Sequence, residues 1–164
     1  PALIKSMLSV HHELLPMTAA DQDHAEFDRL YNGLLFSLMS WEQLSDFWQR
    51  LDTSAGWYLY AIGEALPEGI SNAEATSRFL REIDALLHQD HHEDYCGIVY
   101  TDDLESPSLV KIYDPNNLGS SCGGTGKHAI PPGWIMSRVP PREISPGGVI
   151  AGNRRRWWQA FLAG

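Results

Sequence analysis

Cysteine is scarce in this chain, with only Cys96 and Cys122 among 164 residues, and no CxxC spacing occurs. That excludes the common four-thiolate zinc and iron–sulfur frameworks within one chain. Long apolar runs are also missing, so no segment approaches the roughly 20 residues that span a bilayer. The N-terminus lacks the basic, apolar, small-residue order of a signal peptide. These absences set the expectation of a cytoplasmic protein with free thiols and no membrane span.

Positive charge is thin over most of the sequence. Residues 1–126 carry 6 basic and 20 acidic side chains, a balance of −14, whereas residues 127–164 carry 6 basic and 1 acidic, a balance of +5. An acidic body repels phosphate backbones, which disfavours nucleic acid as a partner. Internal repeats and low-complexity tracts are absent as well. What remains is ordinary globular material, 43% apolar and 20% charged, enough for one domain with a real core.

The first 95 residues read mostly as helices. A stripe of Leu3, Ile4, Met7, Leu8, His11, Leu14 and Leu15 predicts a helix over 3–15, ended by Pro16. Thr18 with Asp21 gives a capping-box start, followed by the stripe Phe27, Leu30, Tyr31, Leu34, Leu35, Leu38 and Met39. Ser40 with Gln43 opens a third helix carrying Trp41, Leu44, Phe47, Trp48 and Leu51. Ser71 with Glu74 opens a fourth, running to about Gln89 through Phe79, Leu80, Ile83, Leu86 and Leu87. Trp57–Ile62 has no diagnostic period, and its composition favours a strand.

From Tyr95 the residue types shift to strand formers. Residues 96–100, 109–113 and 134–139 predict three short strands, the first two paired as a hairpin. Helices first and strands after imply an α+β class, with N-terminal helices on a small, mostly antiparallel sheet formed by the C-terminal half. Residues 1–145 would form that single domain. Residues 146–164 would form a basic, Trp-containing tail, either a terminal helix or a mobile segment, whose Arg154–Trp158 could meet an anionic surface or dock on the domain itself.

The most distinctive segment is Asp114–His128, DPNNLGSSCGGTGKH, with four Gly and three Ser/Thr around one thiol. It departs from a P-loop, because Ser121 and His128 replace its first Gly and last Ser/Thr and two prolines block the following helix. The leading expectation is a small accessory or binding protein whose 114–133 loop takes a protein partner or small-molecule ligand. Asn116, Asn117, Gly123, Gly124, Lys127 and an exposed Trp134 would make the contacts.

Two chemical alternatives stand beside that expectation. Cys122 could act as a nucleophile, with Gly123 and Gly124 amides as an oxyanion hole and His128 as base. Alternatively His92 and Cys96 could join Cys122 and His128 in a Cys₂His₂ zinc site. Other titratable groups read as structural. His88, His91 and His92 suit a helix C-terminus, His11 and His24 a core or boundary position, and Asp102 and Asp103 a hairpin turn.

Overall fold

The computed structural model describes residues 15–120 and 130–164. The helix expected over 3–15 therefore lies outside the described residues, except for Leu15, which is exposed. Cys122, Gly123, Gly124, Lys127 and His128 lie outside them too.

Thr18 forms the capping box foreseen for α1 (Ala19–Tyr31): its hydroxyl accepts from the Asp21 N–H, and the Asp21 carboxylate accepts from the Thr18 N–H. These hydrogen bonds also hold the Asp21 carboxyl below its usual range. The helix stops eight residues short of the end that its apolar stripe implied. Asn32 and Gly33 close it, and a Cβ at Gly33 would stand 2.7 Å from the Arg29 carbonyl oxygen. The chain turns instead into a two-residue strand, β1 (Phe36–Ser37). Leu38 still reaches the core, but from an extended backbone whose N–H donates to the Val99 carbonyl, so sheet pairing overrides helical period.

Ser40 caps α2 (Trp41–Arg50) by accepting from the Gln43 N–H. The Gln43 side chain reaches one residue past the expected reciprocal partner and accepts from the Met39 N–H. Strand β2 (Tyr58–Ala61) follows, as its composition implied. The cap of α3 (Ala73–Asp90) is Asn72 rather than Ser71, because the Ser71 N–H is taken by the Trp57 carbonyl in a β-bridge. Then come β3 (Val99–Thr101), β4 (Leu109–Ile112), a 3₁₀ helix over Pro115–Ser120, β5 (Trp134–Ser137) and α4 (Gly152–Ala163).

The fold is α+β. The five strands form one antiparallel sheet in the order β1-β3-β4-β5-β2, with the three C-terminal strands in the middle and the two from the N-terminal half at the edges. Strand alternation divides the side chains between two faces. Leu59, Ala61, Val99, Val110, Ile112, Trp134 and Met136 join the larger core with α2, α3 and α4. Tyr60, Ile62, Leu109 and Ile135 join a smaller core under Phe27 and Leu30 of α1.

The C-terminal stretch ends in α4, which places Arg154, Trp158 and Phe161 on one buried stripe at spacings of four and three. Phe79 of α3 meets Trp157, Trp158 and Phe161 edge-on, with ring centroids 5.6–6.5 Å apart. Truncating Phe79 to Ala would remove that shared anchor, a loss of about 3–5 kcal/mol for a fully buried aromatic.

Candidate binding cleft

Strand β4 delivers Asp114 to the end of the sheet, where its carboxylate organises the turn that follows. Its Oδ1 accepts from the Asn116 N–H at 2.9 Å, the Asx-type turn implied by DPNN. Gly133 closes the opposite wall: its N–H donates to the Ile112 carbonyl and its own carbonyl accepts from the Ile62 N–H. A Cβ at Gly133 would come within 3.2 Å of the Asp114 Cβ, so any side chain there would press on Asp114.

Arg154, in the first turn of α4, fastens the third side. Its Nε and Nη2 donate to the two Asp114 oxygens at 2.9 and 3.0 Å, and Nη2 also donates to Asp90 at 2.7 Å. Burial alone would lower the Arg154 pKa, but the hydrogen bonds from Asp114 and Asp90 outweigh it and the net shift is upward. One guanidinium thus ties α4 to the end of β4 and to the end of α3.

These elements enclose a cavity of about 250 Å³. Asp114, Asn116 and Asn117 line it from one end of the 114–133 segment, and Ile130, Gly133 and Trp134 from the other. Pro146–Ala151, Ala61, Ile62 and Glu64 complete the wall. Glu64 Oε1 is buried there with no hydrogen-bond donor among the described residues, and Arg155 Nε stands 3.8 Å from it. A second cavity, of about 240 Å³, shares Asp114, Asn117 and Ile130 with the first and is also lined by Tyr100, Tyr113 and Ile98.

Asn116 and Asn117 are exposed and line the cavity. Trp134 corrects the expectation of an exposed aromatic: it is 3% exposed, because the first residue of β5 points into the larger core, although it borders the cavity. Its ring lies 5.8 Å from the Arg154 guanidinium carbon. His92 and Cys96 occupy different settings, His92 exposed and Cys96 fully buried. It is His91 that turns inward, its Nε2 within 2.9 Å of the Cys96 carbonyl oxygen. Burial pushes the Cys96 thiol up against the opposing amides of Ile98, Val99 and Gly97, so it packs as a core residue. Among the described residues no three His, Cys, Asp or Glu side chains cluster as metal ligands do.

The remaining titratable groups are settled locally. Asp102 accepts from the Ser108 and Leu109 N–H groups, and Asp103 from those of Glu105 and Ser106, which makes them turn residues of the β3–β4 hairpin. His24 is exposed, and His88 stacks on Trp41 with ring centroids 4.1 Å apart.

Sequence reasoning missed Arg154, Asp90 and Glu64. The RRRWW run resembles a surface patch, yet Arg154, Trp158 and Phe161 share one helical stripe, and that spacing was the signal for an inward guanidinium. No helix among the described residues is long and apolar enough to cross a membrane. The chain matches no known protein family, no curated protein and no solved structure.

Proposed function

We propose that the protein is a small-ligand-binding protein and that its ligand enters the cleft at the root of the 114–133 segment. One observation carries the reading: residues from both ends of that segment line the same cavity, which Arg154 braces from a helix 40 positions away. Small-molecule sites are concave, mostly apolar and carry a few convergent polar groups. This cleft offers Ile62, Ile130, Pro131 and Val149 as apolar wall, with Asn116, Asn117 and the unbonded Glu64 oxygen as polar points. Its volume sits at the small end for such sites, which favours a compact ligand.

Gly148 supplies a clean test. It lines the cavity, and a Cβ there would meet nothing within 4 Å, so Gly148→Trp should obstruct the cleft without disturbing the fold. A library of small amines, amides and alcohols screened by amide chemical-shift mapping should give hits that shift Ala61, Asn116, Asn117 and Gly133. Those shifts should vanish in Gly148→Trp. Hits that map elsewhere, or that bind the variant equally well, would overturn the reading.

A further inference from the structure

Two carboxylates line the cavity of about 250 Å³, and the protein answers only one of them. Both Asp114 oxygens accept from the Arg154 guanidinium, which Asp90 shares. Neither Glu64 oxygen accepts a hydrogen bond among the described residues, and Oε1 is buried without a donor. A buried carboxylate oxygen in that state is unusual, because it has lost hydration that only a donor replaces. Arg155 Nε stands 3.8 Å from it, too far for a hydrogen bond, and the Arg155 side chain is 57% exposed, so water screens the pair.

The Glu64 side chain keeps 21% of its surface open. Oε1 takes none of that, so the opening belongs to the stem and Oε2, on a residue that lines the cavity. The terminal torsion of glutamate is broad and roughly two-fold, which lets either oxygen turn toward a ligand.

The surrounding wall is short of donors. Pro131, Pro132 and Pro146 have no N–H. The N–H groups of Ile62, Asn116 and Gly133 are engaged within the protein. An anionic ligand would therefore meet an unpaired carboxylate and few donors, and a neutral one would leave the Glu64 charge uncompensated. A divalent ion needs several oxygen ligands at once, and no three ligating side chains converge among the described residues. Around the cleft Glu64, Asp90 and Asp114 stand against Arg154 and Arg155, which leaves a surplus of one negative charge.

We propose that the ligand of this cleft is a compact primary ammonium ion, whose N–H groups bond to the Glu64 carboxylate while its alkyl body packs on Ile62, Ile130 and Val149. The inference rests on the cleft being a ligand site and adds the charge and donor that the ligand must bring. An ammonium group carries three donors and a positive charge on one nitrogen. It gives the carboxylate hydrogen bonds and neutralisation together, and such charge-assisted bonds are the stronger kind. The small volume suits a body of a few carbons.

Isobutylamine, isobutanol and isobutyrate share one branched skeleton and are cationic, neutral and anionic at pH 7. Each is titrated into the intact protein, and binding is read from the amide chemical shifts of Ala61, Glu64, Asn116 and Gly133. The amine should bind about tenfold or more tightly than the alcohol, and the carboxylate should leave those amides unmoved. Glu64→Gln, which keeps the shape of the side chain, should bring the amine down to the affinity of the alcohol. Glu68→Gln, at an exposed carboxylate outside the cavity, should leave the preference intact. An amine no tighter than the alcohol, or a preference that survives Glu64→Gln, would overturn the inference, while alcohol binding in the cleft would keep the site itself standing. If none of the three moves those amides the inference also falls, and the wider screen against Gly148→Trp then judges the cleft separately. The wild-type comparison decides the matter even where Glu64→Gln fails to fold.

Discussion

Arg154 and Lys111 are both buried cations, on opposite sides of one sheet, and the sequence surroundings resolve their charge in opposite ways. Arg154 lies on the larger-core side, at 5.8 Å from Trp134, and is held by two carboxylates. Lys111 lies on the α1 side, against the face of Tyr31, and among the described residues no carboxylate pairs with it. The pairing raises the Arg154 pKa, whereas burial lowers that of Lys111 to about 8. A compensated cation fastens elements together, while burial moves an uncompensated one towards neutrality. The first braces a cleft, and the second carries the cost of its desolvation.

The largest expected effect comes from breaking the compensated pair. Arg154→Ala leaves Asp114, with its side chain 9% exposed, as a buried carboxylate without its guanidinium. Removing one partner of such a pair typically destabilises by about 3–5 kcal/mol. Urea denaturation should show that loss. The double replacement Arg154→Met with Asp114→Leu should recover most of it, because the uncompensated charge is then gone. If the double variant is as unstable as Arg154→Ala, packing of α4 rather than charge pairing is what Arg154 supplies.

Lys111 predicts a smaller effect of opposite sign in pH. Its folded pKa of about 8 lies below the unfolded value near 10.5, so between those values the unfolded chain binds more protons and stability rises with pH. The penalty is fully present below pH 8. From pH 8 to 10 the unfolding free energy should climb by about 2 kcal/mol. Above pH 10 the trend should reverse, since burial raises Tyr31 to about 12 and the folded state then holds the extra proton. Lys111→Met should be more stable than wild type by about 1 kcal/mol at pH 7 and should lose the climb. A flat profile in the wild type would mean that Lys111 keeps water in the folded state.

The two cations also mark where sequence was readable. Hydrophobic period identified α2, α3 and the central strands, because Phe47, Phe79, Ile83 and Val110 answer to the same burial that periodicity encodes. Boundaries went wrong where long-range backbone bonds competed. Ser71 gives its N–H to Trp57, leaving Asn72 as the cap, and β1 pairing with β3 ends the α1 stripe early. Trp134 looks exposed in sequence because nothing local distinguishes the inward from the outward face of a strand buried on both sides. Lys111 was visible in LVKIY as one charge in an apolar run. Its niche depends on Tyr31, 80 positions earlier, and no local pattern reports that contact. Cavity and counter-ions alike arise from pairings such as Asp90–Arg154, which topology creates.

Asp90 gives the finest division within the compensated site. It shares Nη2 of Arg154 with Asp114 at 2.7 Å, yet its side chain is 25% exposed against 9% for Asp114. Water reaches it, so the two carboxylates should contribute unequally despite similar distances. Asp90→Asn keeps the shape and an acceptor oxygen while removing one charge, and should destabilise by about 1 kcal/mol or less. Raising salt from 0.1 to 1 M should shrink that difference, since the Debye length falls from about 10 to about 3 Å and screens the more exposed partner first. The Arg154→Ala loss should persist in the same salt, because Asp114 stays buried. Equal salt sensitivity in both variants would show that solvent reaches the whole Arg154 site, and the contrast with Lys111 would then be one of partners rather than of burial.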